Sequence, residues 1–428
     1  MHFYKTSIIL FILAILLAAC SPAIDDKPAI TNSPASMTSI TPLPKTNTPT
    51  LPVPTSTPTE TPTPSTTPST TPTPGISGPN DFPEGISPLT GLQVNDPSLL
   101  SIAPGLISIS NAPFSTRPQS GLSYASQVYE FYLGEGDTRF LSVFYGNLPP
   151  NKTASGEKVE VGPIRSGRLL YATLREFYRG FLVFASASDT VLSHLNNYQI
   201  IQNPNIQNIN GATISIDDMV DLGKDTIERV GKPQLNGLRF DPTLPEGGKD
   251  ASQLCVAFHP HSMVYWKYDP QSAAYTRWQN DGEGTPQRQF SDQINQSPLA
   301  FSNIIVMFTN YIRYTDTYFN IEFNYITRYP ALLFRDGKMY EMYWTTRNEE
   351  YEITTGKLRP PRFIDYDGNP YPLKPGQTWI ELVQLHNAYY ETNETEDFYR
   401  LINTQKDGTG FWTVIFTPPD YSPTPTAE

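Results

Sequence analysis

Apolar positions along the 428 residues follow four regimes. Residues 8–17 form an unbroken apolar run. From residue 21 to about 80 Thr, Pro and Ser take over, with almost no aromatic side chain. Patterned segments then fill residues 81–416, and the chain closes on TPPDYSPTPTAE. Within the patterned region GLISIS (Gly105–Ser110) and QVYEFYL (127–133) predict strands. The second strand runs through GEGD into TRFLSVFY (138–145), a hairpin signal because a Gly-rich turn joins two β-branched and aromatic runs. RLLYATLREFYRG places Leu170, Leu174, Phe177 and Tyr178 on one helical face and closes at Gly180. FLVFASAS reads as a buried strand, DTVLSHLNN as a short helix, and DDMVDLGKDTIERVG as a longer one.

Past residue 233 the period changes. CVAFHPHSMVYWKYD, AYTRWQ, NIIVMFTNYI, YFNIEFNYI, ALLFRDGKMYEMYW and QTWIELV are all strand-like, with turn chemistry such as RDGK and DYDGNP between them. The predicted fold is α+β overall: an N-terminal α/β domain (81–235), then a mainly antiparallel β domain (236–417). The remaining segments are a signal peptide (1–20), a disordered Thr/Pro-rich linker (21–80) and a disordered tail (418–428). The linker carries too little apolar surface to offset the entropy of ordering. As an extended polyproline tether of ~3.1 Å per residue it reaches on the order of 150–190 Å, enough to lift a domain off a membrane.

Composition narrows the setting. The core has ample material, with 25 Tyr and 22 Phe. A net charge of −12 argues against a nucleic-acid surface, since phosphate neutralisation needs concentrated Lys and Arg. The apolar run at 8–17 is too short for a comfortable permanent span and reads as a secretory signal. It closes on LAAC, which resembles the lipobox of bacterial lipoproteins. That resemblance implies cleavage before Cys20, lipidation of its thiol and an extracytoplasmic, membrane-anchored protein. Only two cysteines are present, so with Cys20 lipidated, Cys255 in the apolar run LCVAF is left as the lone free thiol and no intramolecular disulfide is available.

Catalytic signatures are scarce. GxSxG, P-loop, HExxH and Rossmann glycine patterns are absent, and no cofactor is implied. His259 and His261 in FHPHS share one face of a predicted strand, half of a metal site with no sequence neighbour to complete it. DYDGN begins like a calcium loop, but its sixth position is Pro370 and its twelfth is Gly376, so a hairpin turn is expected and no metal is assigned.

The cluster VGPIRSGR stands out. Arg165 and Arg168 flank Ser166, an N-cap candidate for a helix beginning near Gly167. Backbone donors with two guanidinium groups suit an anion. Arg175 and Arg179 extend a basic helical face. Glu130, Glu135 and Asp137, beside Arg139 in the preceding hairpin, offer the alternative of internal ion pairs.

SPLTGL, TRPQSGLSYASQVYE, EGDTRFLSVF and VGPIRSGR occur in the order and at the spacings of the N-terminal domain of YerB-like bacterial lipoproteins. YWKYD…YTRW, LFRDGKMYEMYW and PRFIDYDGNPYPLKPGQTWIELV resemble the C-terminal domain of that family. The resemblance implies a two-domain envelope lipoprotein without an assigned reaction. In its light Arg117 and Gln119 lead into a tight turn at Gly121, ahead of the strand carrying Glu130. Two departures stand out: NINGATISIDDM lacks the family's Pro-His-Asn segment, and Gly167 replaces the alanine of GPVRSAR, an exchange expected to loosen the first helical turn by ~1 kcal/mol.

Two functional expectations follow. The first is a non-catalytic binding or scaffold lipoprotein that recognises an envelope protein or wall polymer. The second is an enzyme acting on a phosphorylated or anionic envelope substrate, with Arg139, Arg165 and Arg168 holding the anion and Glu130 or Glu135 supplying a carboxylate. The order of an acidic strand, an arginine-bearing strand and an arginine-bearing turn is similar to that of the LytR-CpsA-Psr wall-polymer transferases. Candidate ligand-binding residues are therefore Arg117, Glu130, Glu135, Arg139, Arg165, Ser166 and Arg168.

Overall fold

A computed structural model describes residues 74–205, 207–323 and 327–421. The expected signal peptide, Cys20, nearly all of the expected linker and the last seven residues lie outside the described residues.

Ten strands build the backbone of the principal sheet. From the first half come β1 (Gly105–Ser110), β2 (Gln127–Gly134), β3 (Asp137–Phe144), β4 (Phe181–Phe184) and β5 (Tyr198–Ile200). From the second half, after β6 (Gln253–His259), β7 (Ser262–Asp269) and β8 (Ala274–Asn280), come β9 (Asn303–Thr315), β10 (Arg328–Arg335), β11 (Lys338–Thr345), β12 (Arg362–Ile364) and β13 (Thr378–Gln384). Their order is β12-β11-β10-β9-β13-β2-β3-β1-β4-β5, and two further strands complete twelve. The halves meet at β2 and β13, which pair in parallel with Glu130 opposite Glu381. A second sheet runs from Gln287–Gln289 through β8, β7, β6 and β14 (Phe411–Ile415) to Tyr389–Glu391.

The second half is thus mainly antiparallel, as its alternating pattern predicts, with parallel joints at β9–β13 and β6–β14. The N-terminal half is α/β, with helices α1 (Leu170–Tyr178), α2 (Asp189–His194) and α3 (Ile216–Val230). Pairing is continuous across the change of pattern near residue 233, and one hydrophobic cluster runs from Leu89 to Phe416 through both halves.

Every residue of β2 is buried, because β2 is covered on both faces. On one face lies α1: Phe131 meets Tyr171 edge-on at 6.0 Å, and the Tyr129 and Tyr178 hydroxyls are 2.7 Å apart. On the other lies the second sheet, where Phe140 and Trp266 each pack on Trp379 at about 5 Å between ring centres. Leu170, Leu174, Phe177 and Tyr178 are all buried, as helical spacing predicts. The β2–β3 turn requires glycine: Gly134 has φ +115°, and a Cβ there would lie 1.8 Å from the Asp316 carbonyl oxygen.

Ordered pairing begins before residue 81. Ser77 exchanges backbone hydrogen bonds with Phe240 at 3.0 and 2.9 Å. At the other end Tyr421 lies 4.1 Å from the Arg313 guanidinium and donates to Asp316. The two ends therefore hold to the body slightly further out than composition suggests.

Candidate functional site

Strand alternation sends neighbouring residues of β3 to opposite layers. Phe140 faces the second sheet, whereas Arg139 lies on the helix side, where its Nη1 donates to the Ser166 carbonyl at 3.1 Å. The segment carrying Arg165 to Arg168 is stitched between β1 and the end of β4. The Arg165 amide donates to Ser108 O at 2.9 Å, the Gly167 amide to Ser186 O at 2.7 Å, and the Ala185 amide to Arg165 O at 3.0 Å. Arg165 itself donates to the Ile209 carbonyl and to Asn210 Oδ1, and Arg168 Nη1 donates to Gly167 O at 2.9 Å.

No carboxylate of the described residues lies within ion-pair distance of Arg139, Arg165 or Arg168. Burial, followed by the positive charges of Arg168 and Arg165, pulls Arg139 down to about 10. Burial also lowers Arg165 and Arg168. The Nε groups of Arg139 and Arg168 are buried without a hydrogen-bond acceptor. These cations are thus gathered at some electrostatic cost, with no carboxylate at ion-pair distance and only a longer-range attraction from Asp137 to Arg139.

The local expectations need correction. Ser166 does not cap the helix, which begins at Leu170 behind Leu169 and has no side-chain cap; the Ser166 hydroxyl instead meets that of Ser186 at 2.9 Å. Gly167 precedes the helix, so alanine there carries no helix-propensity term; its Cβ would stand 3.3 Å from the Phe184 ring. The basic helical face also dissolves, since buried Arg175 pairs with Glu176 and Arg179 donates to the Val230 carbonyl.

Glu130 belongs to the opposite layer and neutralises none of these arginines. It is fully buried and accepts from Arg277 Nη2 at 2.9 and 2.8 Å, from Thr138 Oγ1 at 2.7 Å and from Trp379 Nε1 at 3.2 Å. Arg277, equally buried on β8, sits among Phe290, Trp379 and Phe140 at 4.2, 5.1 and 5.2 Å from their ring centres. Beside it Glu381 accepts from Trp266 Nε1 at 2.8 Å. Burial and the adjacent Glu130 carboxylate push Glu381 well above the usual carboxylate range. The result is a guanidinium and two carboxyl groups buried together between the sheets. The sequence reading overlooked Arg277 and Glu381, although each is a lone charge in an apolar strand pattern, YTRWQ and TWIELV.

Arg117 and Glu135 fall at a third place. Arg117 donates from Nε to Asn111 O at 3.1 Å and from Nη1 to Asp281 at 3.0 Å, and lies 4.9 and 4.8 Å from the Phe114 and Phe290 ring centres. Burial, then repulsion from Arg277, lowers it to about 10. The turn at Gly121 is secured from the second half: Asp292 accepts from the Gly121 and Ser123 amides at 2.8–3.1 Å and from the Ser123 hydroxyl. Glu135 and Arg117 line a cleft of about 280 Å³ with Asp137, Asn111, Ser262 and Glu283.

His259 and His261 lie across a turn between β6 and β7, not along one strand, with ring centres 4.8 Å apart. Glu283 approaches His261 Nε2 at 3.4 Å. No cluster of three or more metal-ligating side chains forms among the described residues. In DYDGN, Asp365 accepts from the Asn369 amide at 2.8 Å, closing the expected turn.

Two family models match the chain: the N-terminal domain of the "Protein of unknown function (DUF3048)" over residues 89–217, and its C-terminal domain over 254–380. "Putative lipoprotein YerB" from Bacillus subtilis (strain 168) is 28% identical over 315 residues, covering 69% of this chain and 86% of that protein. The crystal structure of YerB protein from Bacillus subtilis superposes with a TM-score of 0.53 at 23% identity, covering 69% of this chain and 96% of that one. At that identity the structural likeness speaks for the fold. With both domain models matched in order across the folded region, the chain belongs to the YerB-like family.

Proposed function

We propose that this protein is a lipid-anchored envelope protein that binds an anionic group of an envelope polymer or protein through Arg139, Arg165 and Arg168. The observation that carries the reading is the grouping of these guanidiniums without a carboxylate counter-charge among the described residues of a protein of net charge −12. Against internal neutralisation stand the place of Glu130 on the other face of the sheet, its pairing with Arg277, and the merely longer-range attraction of Asp137 for Arg139. Asn210, which Arg165 holds, also lines a polar cleft of about 570 Å³, a surface suited to a hydrated polymer. Anchoring rests on LAAC at Cys20 and on similarity to a protein named as a lipoprotein. No helix of the described residues is long and apolar enough to cross a membrane.

The test is a thermal-shift titration of the full chain with phosphate, pyrophosphate and anionic wall fragments, alongside Arg165→Gln and Arg168→Gln. A ligand that binds only the folded state at 100 times its Kd stabilises by about 2.7 kcal/mol. The expected result is an anion-dependent rise in Tm that either substitution removes. An unchanged Tm for the parent with every anion rejects the site.

A further inference from the structure

The cleft beside Arg117 is of opposite character to the arginine cluster and has no part in the proposed function. Its floor is Asn111, which is 1% exposed. The Asn111 Nδ2 faces three acceptors: Thr138 Oγ1 at 2.7 Å, Gln279 Oε1 at 3.1 Å and Glu130 Oε1 at 3.4 Å. Because Thr138 itself donates to Glu130, its oxygen can accept only from Asn111, and the amide orientation is determined. Asn111 Oδ1 is consequently a buried acceptor without a donor. Around it the cleft carries Glu135, Asp137 and Glu283. Of the basic groups that share the cleft, Arg117 pairs with Asp281 at 3.0 Å and His261 Nε2 lies 3.4 Å from Glu283. Glu135 and Asp137 make no ion pair at contact distance among the described residues, and Asp137 feels Arg139 and Arg117 only at longer range.

We propose that this cleft is a binding site for a primary ammonium group, whose N–H donors would satisfy Asn111 Oδ1 while its charge is met by Glu135 and Asp137. An ammonium supplies several donors and a positive charge in a small volume, which suits an unsatisfied acceptor in a cleft that also carries two carboxylates without an ion-pair partner. A hydroxyl would meet the acceptor but add no charge opposite Glu135 and Asp137. A volume of about 280 Å³ admits an amine-bearing headgroup and its first carbons. The same chemistry comes from a lysine side chain of a protein or peptide, or from an amino sugar.

Saturation-transfer NMR on the full chain at low ionic strength separates these sources, using Nα-acetyl-lysine methylamide and glucosamine as probes with their N-acylated counterparts. At least one free amine is expected to bind, its acylated form at least tenfold more weakly. The Glu135→Gln/Asp137→Asn double variant should lose at least tenfold with an unchanged Tm. A charge-matched pair of exposed positions, Glu228→Gln/Glu246→Gln, should retain parent affinity. Failure of both amines to bind, equal binding of acylated and free forms, or equal loss in the control pair overturns the site. Loss confined to lysine or to glucosamine identifies the source.

Discussion

At the residue scale, Glu130, Arg277 and Glu381 form the most consequential arrangement. Breaking a buried pair by removing one partner leaves an uncompensated charge and costs about 3–5 kcal/mol. Glu130→Ala is therefore expected to lower stability by that order in urea unfolding, with Arg277 left to Gln279 Oε1 at 2.9 Å and the aromatic rings around it. Glu381 behaves differently because its folded-state pKa is raised above the ordinary 4.5. The folded state holds this proton more tightly than the unfolded chain. Its contribution is fully present below about pH 4.5 and is lost as pH rises towards the folded-state value. Glu381→Gln mimics the protonated acid, so parent and variant should have similar stability near pH 4.5, with the variant becoming progressively the more stable up to pH 8. Unfolding free energies measured across that range check this; parallel profiles would mean that Glu381 is ionised in the folded protein. The charges themselves are visible in the sequence as interruptions of apolar strands. Their pairing is not, because residues 130, 277 and 381 meet only when two sheets stack.

The element scale concerns turns and helix starts. GEGD announced a hairpin from sequence alone, and Gly134 shows why glycine is needed: a positive φ coincides with backbone contact from the tip of another hairpin. Gly134→Ala is expected to destabilise by at least 1–3 kcal/mol, since strain and clash act together. Equilibrium unfolding of this variant beside Gly156→Ala provides the comparison, because Gly156 also has positive φ but nothing within 4 Å. The helix periodicity of 170–178 was legible too. Its start was not: Ser166 resembles a cap by residue type, but its segment is held between β1 and β4 by long-range backbone hydrogen bonds. Local propensity yielded there to tertiary pairing. The stretch TRPQSGLS likewise looked like a turn, and Asp292, far along the chain, is what fastens it.

For the whole molecule, the two halves share one sheet. An isolated fragment of residues 81–235 would expose the β2 edge, lose the Asp292 clasp on Gly121 and leave Glu130 without Arg277. That fragment is expected to show collapsed, poorly dispersed amide spectra, whereas the full chain should unfold in one calorimetric transition. A well-dispersed spectrum from the fragment, or two separate transitions, would contradict this. The candidate residues divide in the same way. Arg139, Arg165, Ser166 and Arg168 gather on the helix face, Glu130 lies between the sheets, and Arg117 and Glu135 line a cleft with residues of the second half.

What the sequence by itself determined are features written in neighbouring residues: strand and helix periods, hairpin chemistry, the family motifs, and the shift from α/β to β. These depend on contacts a few residues apart, which periodicity records directly. Tertiary structure alone decided which charges are partnered. Strand alternation places Arg139 and Glu130 in opposite layers, and the parallel joint of β2 with β13 brings Glu381 beside Glu130 from across most of the folded chain. Ion pairing depends on distance and burial, and neither is encoded at any fixed spacing along the sequence.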